Sequence, residues 1–145
     1  SLTVEDDVVF VARHGHPLSA LTQVEPTDLL RFPVASFLIT DKFRDWIGPV
    51  SPAQEANLQA FVSEDPDTLR MLALDTDAVA WGPRFAFANE LAGGRLIELR
   101  CSRTSSFDCW MLTRPGQWSI PLVKKIAEFA RAGSSSRPTR PIARA

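Results

Sequence analysis

Short runs of β-branched and aromatic residues alternate with short helix-forming segments along this chain, and that alternation restricts the fold more than any other feature. Asp7–Ala12 (DVVFVA) reads as a buried strand. HGHPLSAL follows as a turn punctuated by Gly15 and Pro17. Pro26–Phe32 reads as a short helix and Pro33–Ile39 as a second strand. Thr40–Gly48 is then helical, with Phe43, Trp46 and Ile47 on one face. Gly48–Ala56 reads as a loop and Asn57–Ser63 as an alternating strand. Asp65–Leu74 has the marks of a capped helix, an Asp followed by Pro at the first helical position. Asp77–Gly82 is a further buried strand, Pro83–Gly94 a helix closed by glycines, and Arg95–Leu99 and Phe107–Arg114 two more strands. Ser119–Gly133 is a strong amphipathic helix whose stripe is Leu122, Val123, Ile126, Phe129 and Ala130. Strands interleaved with helices predict an α/β domain with a mixed, mostly parallel sheet flanked by helices. In such sheets ligands bind beyond the carboxyl ends of the strands, here Ser36–Lys42, Ser63–Asp65 and Trp81–Pro83.

Charge and cysteine usage narrow the function. The formal net charge of −1 argues against strong electrostatic capture of nucleic acid. The terminal GSSSRPTRPIARA holds three arginines and no acid, so residues 133–145 are expected to be a disordered basic tail. Cys101 and Cys109, eight apart with apolar neighbours, suit reduced small hydrophobes better than a disulfide framework or a zinc knuckle. SLTVEDD lacks the basic and apolar regions of a signal peptide, and no apolar run approaches a membrane span. The expectation is a soluble cytoplasmic protein with no membrane contact.

Both histidines, His14 and His16, sit in VARHGHPLSA. His-x-His on a strand would turn both imidazoles to one face, as a metal site needs. Gly15 and Pro17 break the strand here, and no further His exists. No metal and no cofactor is therefore expected. No Ser/His/Asp set, no Gly-x-Ser-x-Gly elbow and no phosphate-binding glycine loop is present, which disfavours an enzyme. The helix starts at Thr40–Lys42 and Ser63–Asp67 offer free N–H groups to an anion, unless Asp41 and Asp65 cap them locally.

Taken in order, these segments resemble the effector-binding domain of LysR-type transcriptional regulators. VVFVARHGHPLSA is similar to that family's strand and Gly-His-Pro-Leu turn, TDLLRFPVAS to its Asp-Leu…Pro segment, and SEDPDTLRMLAL…AVAWGP to its helix and Ile-Ala strand. ELAGGRLIEL and CWMLTR…SIPLVKKIAEFAR resemble the closing segments. The resemblance runs to Ala132 and implies a lobe of the type II periplasmic-binding-protein-like fold, lobe two plus the returning C-terminal helix. It makes His16-Pro17-Leu18 a structural turn. Two departures stand near the cleft. Thr76 and Ala78 occupy places where the family has glycines, so Asp residues are expected to make the turn, and Trp81-Gly82 replaces the usual Leu before Pro83.

The resemblance further implies that a small molecule, often a carboxylate, is sensed at Ser36, Phe37, Thr40, Ser63, Trp81 and Pro83. Hydroxyls and helix-terminal amides would bond the carboxylate, and Phe37 and Trp81 would wall the apolar part. DNA would be reached only through a helix-turn-helix that this sequence does not include. The C-terminal helix, which packs in lobe one in that family, is expected to fold back on its own sheet or to be buried by self-association. Two other readings stay open: a lobe of a solute-binding protein, and a small α/β enzyme using Asp41, Asp65 or a histidine.

Overall fold

A computed structural model describes residues 2–37, 39, 41–101, 105–111, 114 and 116–133. The expected tail at 133–145 lies outside them but for Gly133. Two compact units are formed, residues 8–105 and residues 1–7 with 106–145.

The larger unit is built on residues 8–13 of β1 (Leu2–Arg13) with β2 (Val34–Ser36), β3 (Phe61–Val62), β4 (Val79–Pro83) and β5 (Leu96–Glu98), in the order β3-β2-β4-β1-β5. β2 pairs parallel with both β3 and β4, while β1 is antiparallel to β4 and to β5. Four of these five strands therefore share a direction, as the alternating pattern predicts.

Register divides the side chains between two faces, because neighbours along a strand point opposite ways. Phe10, Ala12, Val34 and Val79 face a core completed by Leu29, Phe43, Ile47 and Leu58. These come from α1 (Pro26–Leu29), α2 (Asp41–Ile47) and α3 (Pro52–Leu58). Val9, Val11, Ala35 and Ala80 face the other core, closed by Leu69 and Ala73 of α4 (Pro66–Asp75) and by Ala86 and Phe87. Phe87 ends a single 3₁₀ turn, Arg84–Phe87, that leads into α5 (Ala88–Ala92).

Several boundaries differ from the sequence reading. The expected loop at 48–56 contains most of α3. Ser51 Oγ accepts from Gln54 N–H, the Gln54 side chain accepts from Ser51 N–H, and Pro52 fills the first helical position. The strand expected over 57–63 shrinks to two residues, because Asn57 and Leu58 belong to α3. The helix expected over 83–94 is broken at Phe87, whose φ of −116° and ψ of 6° lie outside the helical range.

Where glycines were expected after α4, Thr76 does their work without a left-handed residue. Its backbone is extended, its hydroxyl donates to Leu72 C=O, and it accepts from Ala78 N–H at 3.0 Å. No non-glycine residue has positive φ among the described residues, so the expected left-handed Asp is not used. Asp77 instead receives a two-nitrogen fork from Arg13.

The smaller unit holds β6 (Ser105–Met111), which pairs with β1, and α6 (Pro121–Gly133). The buried line on α6 is not the one expected. Ala127 is buried, with Val123 and Ala130 half-buried, whereas Leu122, Ile126 and Phe129 are exposed. Ser119 does not cap this helix; it lies in the preceding 3₁₀ turn, and its hydroxyl donates to Gly116 C=O.

Candidate functional site

His16 is an element of structure. It is buried, its Nδ1 accepts from Leu18 N–H at 3.1 Å, and its Nε2 lies 3.2 Å from Asp77 C=O. A carbonyl only accepts, so Nε2 carries the proton and Nδ1 is bare. The ring therefore caps the turn at Pro17 and ties it to the start of β4. Phe32 meets it edge-on with ring centres 4.5 Å apart. Burial pushes its pKa down, a shift only partly countered by the bond to Asp77 and that residue's charge. His14 is exposed on the same turn. No group of three potential metal ligands occurs among the described residues.

The carboxyl ends of β2, β3 and β4 bring Ser36, Phe37, Ser63, Trp81 and Pro83 to one edge of the larger unit. Thr40 lies outside the described residues. The five do not form one surface. Ser36 is in register with Trp81, which is in register with Phe10, so these three share a face. Phe37, one residue on, packs against the opposite core.

On the first face the rings form a stack. Phe43 lies 4.4 Å from Trp81 and 5.9 Å from Trp46, and Phe10 lies 5.2 Å from Trp46. Ser36 is wholly buried in the same row, and its Oγ has no hydrogen-bond partner. Trp46 Nε1 is likewise buried and unpaired. Such groups are rare in folded proteins and call for a reason. The sequence singled out Ser36 but not Trp46, whose spacing with Phe43 and Ile47 signals only a core face.

On the second face Gly82 decides the geometry. A Cβ built there would stand 3.3 Å from Phe37 Cδ2 and 3.5 Å from Phe87 Cε2. The absence of a side chain at 82 is thus what lets the Phe37 ring lie across β4. Nothing in local spacing announces this exchange of bulk between two strands.

Anion capture at α4 is closed off by the protein itself. Asp65 accepts from Asp67 N–H and Thr68 N–H and from the Thr68 hydroxyl, and these bonds lower its pKa. Ser63 Oγ accepts from Asp65 N–H at 3.2 Å. The Asp67 and Thr68 amides that could have met a carboxylate are thus taken by Asp65, while Ser63 N–H donates to Ser36 C=O. At the end of β4, Arg84 is forked onto Glu98 with a closest N–O distance of 2.6 Å.

Two cavities in the larger unit, of about 310 and 260 Å3, are lined by none of the five strand-end residues, though the second borders Val8–Phe10, the register partners of Pro83–Trp81. Both flank the segment Glu98–Arg100, one against Leu18–Thr22 and the other against Val8–Phe10 and Cys101. Cys101 is a free thiol half-buried against the first core, and burial raises its pKa to about 12. It is held as the inert small hydrophobe expected from sequence. The Cys109 side chain lies outside the described residues.

The model of the LysR substrate binding domain matches residues 2–135. The chain belongs to the LysR substrate-binding domain family. Solved structures of LysR-type regulators share its fold. The effector domain of AmpR from Pseudomonas aeruginosa is 15% identical with a TM-score of 0.62, over 91% of this chain and 65% of that one. The C-terminal domains of a LysR family protein from Agrobacterium tumefaciens are 18% identical with a TM-score of 0.61, over 92% and 66%. The regulatory domain of CrgA from Neisseria meningitidis is 15% identical with a TM-score of 0.58, over 90% and 66%. This LysR-family chain thus spans about two thirds of each of those chains. No curated protein sequence matches it. None of its helices, among the described residues, is long and apolar enough to cross a membrane.

Proposed function

We propose that this chain is the second lobe, with the returning C-terminal helix, of the effector-sensing domain of a LysR-type regulator. A small molecule is read at the carboxyl ends of β2, β3 and β4, by Ser36, Thr40, Ser63 and Pro83 with Trp81 as the apolar wall, Phe37 packing instead against the opposite core. The observation that carries this reading is the Ser36 hydroxyl, wholly buried and unpartnered beside Trp81 at the end of a parallel strand. A packed protein retains such a group at a cost of about 1–3 kcal/mol. Partnership in one functional state offsets that cost.

Sensing is then a difference of affinity between two arrangements of a regulator that self-associates and contacts DNA through a separate helix-turn-helix. No enzymatic step is assigned to these residues. The compartment proposed is the cytoplasm, where such a regulator meets DNA.

The test is a thermal-shift and NMR titration of the chain with small aromatic and aliphatic metabolites, repeated on Trp81→Ala. Ligand at 100 times its dissociation constant stabilises by about 2.7 kcal/mol. A hit that is lost in Trp81→Ala supports the strand-end site. A hit whose shifts map to the β5 cavities and survive in Trp81→Ala moves the site there.

A further inference from the structure

The charge at the strand ends favours one class of ligand. The segments that leave β2, β3 and β4 are residues 37–42, 63–67 and 83–84. They contain the acids Asp41, Glu64, Asp65 and Asp67 against the cations Lys42 and Arg84. Arg84 is already neutralised by its fork onto Glu98 and Asp67 by its ion pair with Arg70, which leaves Asp41, Glu64 and Asp65 as the acids facing a ligand. Asp65 is held ionised by the bonds it receives from Asp67 and Thr68, and the same bonds consume the amides of α4 that an anion would seek. Asp41 and Glu64 are exposed. Ser63 N–H donates to Ser36 C=O at 3.0 Å, so the end of β3 adjoins the residue with the buried, unpartnered hydroxyl, whose oxygen can accept a bond, and Ser36 is in register with Trp81, stacked on Phe43 at 4.4 Å. Carboxylates, a free hydroxyl oxygen and an aromatic face are together what an alkylammonium group binds. A carboxylate would meet repulsion and filled donors here.

We propose that the group presented to this lobe by its effector is a protonated amine on an apolar or aromatic body, not the carboxylate that sequence reasoning favoured. The inference rests on reading the strand ends as the effector site.

Two probes sharing one skeleton, phenethylamine and 3-phenylpropionate, separate the possibilities. They are titrated into the 145-residue chain at about 20 mM salt, with the Trp81 indole and the Ser63–Asp67 amides as NMR reporters. Each exposed carboxylate some 6 Å from the ligand charge alters affinity about threefold in water. The amine is therefore expected to bind at least tenfold more tightly than the carboxylate. Asp41→Asn and Glu64→Gln are each expected to reduce that advantage about threefold with unchanged melting temperatures, and 0.5 M salt to erase most of it. Equal affinities, or tighter binding of 3-phenylpropionate at the same reporters, overturn the charge assignment and leave the site standing. Failure of both probes to move the Trp81 and Ser63–Asp67 resonances at millimolar concentration overturns the site along with it.

Discussion

Replacing Ser36 by alanine should change stability and binding in opposite senses. The hydroxyl is fully excluded from water and bonds nothing, so folding strips its hydration without return. An unmet buried hydroxyl costs about 1–3 kcal/mol. Alanine removes that cost and leaves a void of only one oxygen, which returns a few tenths of a kcal/mol at about 24 cal/mol per Å3. The net expectation is that Ser36→Ala stabilises the free protein by about 1 kcal/mol. For a domain of this size that is roughly 4 °C in melting temperature. The same change should weaken an effector that bonds the hydroxyl by about 1 kcal/mol, close to fivefold in Kd. Urea unfolding gives the first number and titration with any hit gives the second. A free protein destabilised by 1 kcal/mol or more would show that the hydroxyl has a partner in the unliganded fold. The reasoning from an unpaired group would then be wrong, whatever the ligand data said.

Other changes test other parts of the structure. Gly82→Ala should force the half-buried Phe37 ring to move, since Phe87 is locked in the core, and cost about 1–2 kcal/mol; a denaturant midpoint unchanged within error refutes the close approach. His16→Ala should lose two hydrogen bonds and the contact with Phe32, and cost about 3 kcal/mol in the same assay. The His16 pKa lies below 6.5 in the fold, so between the two values the unfolded chain binds more protons than the native one. Stability should therefore be level above about pH 6.5 and decline as pH falls below it, and His16→Ala should flatten that slope. Phe129→Glu, on the exposed side of α6, should lower self-association in sedimentation without lowering the melting temperature.

Sequence made the sheet legible because the strands are nearly continuous apolar runs, and only helices on both faces can bury such runs. The start of α4 was legible for a chemical reason: Asp65 followed by Pro66 is a cap and a first turn, and that is what forms. α3 was missed because periodicity had nothing to report. Of its seven residues only Leu58 is buried, so no apolar stripe exists, and the signal lay in the cap Ser51…Gln54 with Pro52. β3 was overcalled for the converse reason, since Leu58 was read as part of an alternating strand when the helix claims it.

The candidate site was legible as a set of residues and not as a surface. Successive residues on a strand face opposite ways, so Ser36 and Phe37 cannot wall one pocket by their side chains while both stay in regular β structure. Each face then resolves its own problem. On one, the ring stack of Phe10, Phe43, Trp46 and Trp81 encloses an unmet hydroxyl, a polar deficit that only a partner can fill. On the other, the missing side chain at Gly82 admits Phe37, so the bulk absent from β4 is supplied by the residue that follows β2. Restoring that bulk with Gly82→Leu would collide with Phe37 unless Phe37 is reduced in turn. The pair Gly82→Leu with Phe37→Ala should therefore recover stability that Gly82→Leu alone loses, a coupling of about 1 kcal/mol or more in a double-mutant cycle. Additive losses would mean that the two positions do not share the space, and that the departure from the family at Gly82 has no bearing on the strand-end wall.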